Sequence, residues 1–149
     1  MEIRLLDARD AALVEKAASD VFDGVVQPHF TSAFLADPRH HLVAAVEAGQ
    51  VVGFVSALDY VHPDKPRELW INEVSVASNY RRRGLARRML AAMLEHARGR
   101  GCRQAWVLTD RSNAVAMNLY EAAGGVEPLK DVVMFEFSLG EKASDAEDS

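Results

Sequence analysis

Residues able to do chemistry gather at three places in this chain. The first is the run Arg81-Arg82-Arg83-Gly84-Leu85-Ala86, which follows a strand-like segment, Leu69 to Ala77, and opens a strongly periodic helix. Unpaired N–H groups at a helix start, with the positive end of the helix dipole behind them, form a cradle for phosphate or pyrophosphate. Gly84 removes the side chain where a ligand must approach the backbone, and Ala86 keeps the neighbouring position small. Arg87 and Arg88 lie close enough to reach a further phosphate, although a solvated helix face explains them equally well. The second place is Glu73, an acid within Trp70-Ile71-Asn72-Glu73-Val74. A carboxylate among apolar neighbours is costly to bury without a purpose, and a solvated, edge-facing charge is the plainer alternative. The third is the pair Asn113 and Tyr120, seven residues apart and so on one side of a helix. A phenol titrating near about 10 stays protonated at neutral pH and can donate a proton. The same spacing suits a core aromatic, and Asn113, with Asp110 and Ser112, stands where a helix needs a cap.

Rival readings of the glycine-bearing loop fail on their own requirements. A dinucleotide fingerprint needs three glycines and an acid closing the next strand, and a Walker A loop needs Gly-Lys-Ser/Thr; neither is present. His29, His40, His41, His62 and His96 show no metal-ligand spacing with cysteines or carboxylates, so no metal is expected. His40 and His41, adjacent in a strand, point to opposite faces, and His96 reads as a helix-surface residue.

The elements that must position these residues follow from periodicity. Glu2 to Leu6 is a short strand, and a helix capped by Asp7 or Asp10 carries Leu13, Val14, Ala17 and Val21 to about Phe22, where Asp23-Gly24 ends it. A short helix near Thr31 to Leu35 lies in a mixed stretch. His40 to Glu47 and Gln50 to Tyr60 form a hairpin turning at Ala48-Gly49, and Val61 to Arg67, with Pro63 and Pro66, reads as a loop. The helix from Gly84 to Gly99 stripes Leu85, Met89, Met93 and Ala97 on one face, with Leu90 and Leu94 beside it and Arg87, Arg88, Glu95 and Arg98 in water. Arg103 to Thr109 is read as a buried strand, Asn113 to Ala123 as a helix stopped by Gly124-Gly125, and Val132 to Phe137 as a closing strand. The expected class is α/β: a mixed sheet with helices on both faces.

At 149 residues, 49% hydrophobic and 26% charged, the chain suits one domain with a sizeable core, residues 1–139, and an acidic disordered tail, 140–149. That tail carries −3 of the net −5, which leaves too little charge on the body to argue from. The arginine cluster is compact and phosphate-sized rather than a stripe, so no nucleic acid is expected. The apolar runs are too short to cross a bilayer and the N-terminus lacks a signal pattern, from which no membrane association and a cytoplasmic location are expected. The lone Cys102 allows no internal disulfide and reads as a small core residue.

The order strand, Arg81-x-x-Gly84-x-Ala86, long helix, strand, then a helix with Asn113 and Tyr120 resembles motif A and its continuation in the GNAT superfamily of acyl-CoA-dependent N-acetyltransferases. The resemblance spans about Ile3 to Phe137 and is most specific from Glu73 to Gly124. It implies a mostly antiparallel sheet of six to seven strands whose central strands splay to admit the pantetheine arm. Acetyl-CoA is the implied cosubstrate, bound by Val74, Ser75 and Val76, by Arg81, Arg82, Arg83, Gly84, Leu85, Ala86 and Arg87, and by Asn113 and Tyr120. By the same resemblance Tyr120 is the general acid near the cofactor sulfur and Glu73 the carboxylate that deprotonates the acceptor through water. The N–H of Val76 or a neighbour donates to the thioester oxygen. Dimers are common among such relatives, and Val132 to Phe137 is a candidate contact.

Tyr60 through Pro63-x-x-Pro66 to Val74 looks like the matching stretch of aminoglycoside 3-N-acetyltransferases, whereas Asp110-Arg111-Ser112-Asn113 keeps one acid where those relatives carry two. Glu68, Asp59, Asp64 and Glu73 are candidates for a partly acidic acceptor pocket. The reading is N-acetyl transfer to a primary amine of a small molecule, aminoglycoside- or polyamine-like. Acetylation of a protein N-terminus or lysine is the alternative, and a non-catalytic acyl-CoA sensor comes third.

Overall fold

The computed structural model describes residues 1–128 and 130–140. Its centre is a five-stranded sheet in chain order: β1 (Glu2–Leu5), β2 (His40–Glu47), β3 (Gln50–His62), β4 (Lys65–Val76) and β5 (Gln104–Val107). The first four run antiparallel, and β5 lies parallel to β4. Ala48 and Gly49 turn the β2–β3 hairpin, both at positive φ (50° and 75°), the twist a two-residue turn needs. The segment expected as a loop after Tyr60 is a second hairpin instead, with His62 paired to Lys65 around Pro63-Asp64, so β3 and β4 reach further than expected.

Four α-helices among the described residues flank the sheet: α1 (Ala11–Glu15), α2 (Pro28–Ala36), α3 (Leu85–Gly99) and α4 (Ala114–Ala122). α1 stops well short of Phe22 because the chain turns aside to join the sheet, Ala18 N–H donating to the Val51 carbonyl. α3 buries Leu85, Met89, Leu90, Met93 and Ala97, the stripe its periodicity predicts. Each of the leucine and methionine side chains contributes on the order of 2 kcal/mol of apolar transfer. α3 covers one face of the sheet, while α1 and α2 lie on the other, where Phe22 stacks on Phe54 at 4.3 Å and Phe34 on His40 at 5.0 Å.

The sheet has five strands rather than six to seven. Val132 to Phe137 is not a strand: its side chains are exposed and no described strand pairs with it, so the apolar run lacks the partner that a strand needs. β5 is half exposed rather than buried, Trp106 keeping 38% of its surface. Most of the predicted acidic tail, 141–149, lies outside the described residues.

At the hairpin end of the sheet, Asp59 is fully buried and accepts from His41 Nε2, from Arg67 Nη1 at 2.7 Å and from Arg100 Nε. His41 Nδ1 faces His96 Nε2 at 3.0 Å, so His96 belongs to this half-buried network rather than to the helix surface. Burial raises the Asp59 carboxyl, but the bonds from Arg100, His41 and Arg67 outweigh it and hold the group at about 2. Asp59→Asn should therefore cost about 3 kcal/mol at pH 7, at the low end for a broken buried pair because Arg67 and Arg100 keep 35% and 31% exposure. Since the folded pKa lies below the unfolded 3.8, that stabilisation is complete above 3.8 and disappears as pH falls toward 2. Urea unfolding at several pH values reads both the size and the window.

Candidate active site

β5 pairs with β4 only as far as Ile71 opposite Val107, whereas β4 continues to Val76. Beyond Ile71 the two strands part. Backbone groups along an antiparallel pair alternately bond the partner and turn away from it. Ala77 N–H donates to Val52 O, flanking the Gly53–Val76 pair, so Val76 and, two residues back, Val74 aim their own N–H and C=O groups into the opening beside β4. The Val76 carbonyl there accepts from Arg81 Nε at 3.0 Å. Ser75 faces the other way: its backbone bonds β3, and its hydroxyl donates to the Val21 carbonyl at 2.6 Å.

After β4 the chain turns through Ser78–Tyr80 and reaches the start of α3. Gly84 is the helix N-cap at φ 75°, with no side chain bonding the helix amides, and Arg82 also adopts positive φ, 65°. The N–H groups from Arg82 to Arg87 find no acceptor among the described residues. A Cβ at Gly84 would meet nothing within 4 Å, so the space over these amides is open. Arg83 lies 4.9 Å over the Tyr80 ring, and none of Arg81, Arg82, Arg83, Arg87 and Arg88 forms a salt bridge with a described residue. Free amides at a helix dipole with uncompensated guanidinium groups beside them suit a diphosphate.

A bulge aims Glu73. Ser56 pairs with Glu73 but the next β3 residue, Ala57, pairs with Ile71, leaving Asn72 as the extra residue on β4. Strict alternation would place Glu73 with Leu69 and Ile71 under α3; the extra residue moves it to the other face, beside Ser56. There it borders a cavity of about 370 Å³ that is also lined by Asp23, Phe22, Phe30, Phe34 and Leu35. Burial, then the charge of Asp23, raises the Glu73 carboxyl above its ordinary value. Such a group is better suited to accept a proton near neutrality than a solvated carboxylate.

The other acids expected around the acceptor stand elsewhere. Asp59 is locked among arginines, Glu68 accepts the Tyr60 hydroxyl at 2.9 Å, and Asp64 pairs with His62 and Lys65, all toward the opposite end of the β3–β4 hairpin. Asn113 caps α4, its side chain accepting from Ala116 N–H at 3.0 Å. Tyr120 is half buried against the core, and burial raises its phenol above 10, so it is fully protonated at neutral pH. Among the described residues its hydroxyl has no hydrogen-bond partner, and no group of three or more His, Cys, Asp or Glu side chains could hold a metal. No helix there is long and apolar enough to cross a membrane.

Residues 9–125 match the model of the acetyltransferase (GNAT) family. The chain belongs to that family. Among curated GNAT relatives, the N-alpha-acetyltransferase RimI of Mycobacterium tuberculosis is 34% identical over 90 residues, covering 60% of this chain and 54% of that protein. N-acetyltransferase 8 of Rattus norvegicus is 30% identical over 95 residues, 63% of this chain and 43% of that one. The chain thus spans about half or less of the length of the curated relatives it matches. An aminoglycoside acetyltransferase from an uncultured soil metagenomic sample, in complex with trehalose, superposes with a TM-score of 0.78 at 17% identity, covering 93% of this chain and 95% of that one. A ribosomal-protein-alanine N-acetyltransferase from Brucella melitensis gives 0.73 at 20% identity, covering 92% and 100%. At such identities the superpositions show that the GNAT fold is shared.

Sequence reasoning named the cradle and Glu73 but missed Asp23 and the aromatic wall. Phe30 and Phe34, one helical turn apart in α2, were the signal available for that wall. Gly84→Asp puts a negative charge over the free amides and should weaken acetyl-CoA binding by roughly tenfold or more; titration calorimetry measures it. Asp23→Asn removes the neighbouring charge that raises Glu73, so the acidic limb of the kcat/KM profile for amine acetylation should move to lower pH.

Proposed function

We propose that this GNAT chain moves an acetyl group from acetyl-CoA to a primary amine of a small molecule, by direct attack while both are bound. The observation that carries the reading is the opening where β4 outlasts β5, which joins the turned-out Val74 and Val76 backbone to the amide cradle at α3 while the Asn72 bulge sets Glu73 on the acceptor side. A related fold, the aminoglycoside N-acetyltransferase AAC(6′)-Iy, has been crystallised in complex with CoA; it shares 20% identity and a TM-score of 0.72 over 93% of this chain.

Acetyl-CoA supplies the acetyl thioester, whose carbon exchanges its bond to sulfur for one to the amine nitrogen, giving an N-acetyl amide and the free thiol. The chain's own residues move the protons and hold the charge. Glu73 takes a proton from the amine, through water, so that a neutral nitrogen attacks. The Val76 N–H donates to the carbonyl oxygen as negative charge grows there. Tyr120 gives its proton to the departing sulfur. Arg81 to Arg87 and the backbone of Val74 and Val76 hold the diphosphate and the pantetheine amides, and Asn113 keeps α4, and with it Tyr120, in register.

The aminoglycoside-like part of the expectation draws support from the names of the structural neighbours, and the polyamine-like part rested on an acidic pocket. Of the proposed acids only Glu73 borders the cavity, joined by Asp23. Acetylation of a protein N-terminus is the second reading, favoured by the likeness to the N-alpha-acetyltransferase of M. tuberculosis. Thiol release from acetyl-CoA across small amines and N-terminal peptides separates the two, and binding without release identifies a sensor. Tyr120→Phe should lower kcat by about 10²-fold, the ordinary contribution of a general acid, while leaving acetyl-CoA affinity unchanged; unaltered turnover would remove Tyr120 from that role.

A further inference from the structure

The acceptor cavity is walled by hydrocarbon. Phe22, Phe34, Leu35, Leu42 and Phe54 line its depth, and its rim carries Phe30, 66% exposed, and Val25, 84% exposed. Large apolar side chains left in water around a concave site mark a surface that gains by being covered. Carboxylate is confined to Asp23 and Glu73. The remaining polar lining is Gln27 with the buried Thr31 and Ser56, too few groups to satisfy the hydroxyls and several ammonium groups of an aminosugar or a polyamine. Each cationic group of a polycation without a carboxylate partner would lose its water against phenyl rings.

Resting on the acetyltransferase reading above, we propose that the acceptor is a monoamine with an aromatic body, a primary amine a few carbons from a one- or two-ring aryl group. The ring packs among Phe22, Phe30 and Phe34, and the amine lies toward Asp23 and Glu73. The two acids draw the ammonium in by charge, and Glu73 then strips the proton that must leave before attack. Ring contact supplies binding that an aliphatic polyamine cannot match, since aromatic pairs add to plain area burial. Chemistry is unaltered: one C–N bond forms, one C–S bond breaks, and the products are an N-acetyl arylalkylamine and the free CoA thiol.

The test is thiol release from acetyl-CoA with 2-phenylethylamine, tryptamine, spermidine, kanamycin and an alanine-initiated peptide. The arylalkylamines should show kcat/KM at least about tenfold above every other acceptor. Phe30→Ser, at an exposed rim position where folding is not at risk, should raise KM for tryptamine by about tenfold and leave KM for acetyl-CoA unchanged. Preference for spermidine, kanamycin or the peptide, or a tryptamine KM indifferent to Phe30→Ser, overturns the proposal while leaving acetyl transfer intact. If no amine releases thiol, the transferase reading has failed, and calorimetry of tryptamine against spermidine on the CoA-loaded protein decides the pocket: tighter tryptamine binding upholds it, and equal or absent binding overturns it.

Discussion

The proposed site depends on β4 being longer than the strand beside it. A β-strand whose neighbour ends early is left with N–H and C=O groups that no adjoining strand satisfies, and main-chain polar groups demand partners. Here those groups belong to Val74 and Val76, and the nearest chain after them is the Arg81–Gly84 loop with its own unpaired amides. One structural shortfall thus produces two adjoining hydrogen-bonding surfaces. An extended amide-bearing arm ending in a diphosphate answers both, which gives a physical reason for a GNAT fold to accept a nucleotide-linked pantetheine.

The Asn72 bulge is the second constraint. It costs a ladder position in mid-strand and in return changes which face Glu73 occupies. Without it the carboxylate would lie under α3 beside Leu69 and Ile71, apolar residues that offer it no partner. With it, the acid stands at a boundary between water and hydrocarbon, where burial lifts its pKa and Asp23 lifts it further. The contrast with Asp59 shows what environment does to one chemical group. Both are carboxylates on neighbouring strands, yet Asp59, bonded by two guanidinium groups and an imidazole, is held at about 2 and pinned as structure.

The two faces of the sheet divide the labour. Under α3, close-packed aliphatic residues and the Asp59 network keep β2, β3 and β4 fixed relative to the helix that carries the cradle. On the other face α1, α2 and the irregular segment between them leave a cavity, because Asp23, Gly24 and Val25 bulge out rather than continue a helix onto the sheet. A packed face beneath a cavity-bearing one would hold the proposed reacting groups in place and leave the proposed acceptor side free to differ among relatives of one fold.

Much of this was legible in the residues taken in order. The α3 stripe, the Ala48-Gly49 hairpin, the Arg81–Ala86 cradle and the cap at Asn113 are local features, written in periodicity and turn chemistry over a few neighbouring positions, and each stands where that chemistry puts it. What tertiary structure decided were relations between segments distant in sequence. Val132 to Phe137 is apolar enough for a strand, but a strand forms only by pairing with a neighbour, and none of the described strands pairs with it. His96 looks like surface until His41, fifty-five residues away, comes within 3.0 Å. The acids near the β3–β4 turn looked available until arginines, a tyrosine, a histidine and a lysine claimed them, and the register shift at Asn72 leaves no mark in composition. The sequence by itself determined the loop of free amides and the helix behind it, because those features close within one turn; the face taken by Glu73 and the apolar lining of the cavity beside it waited on pairing and packing between strands and helices, which no single segment encodes.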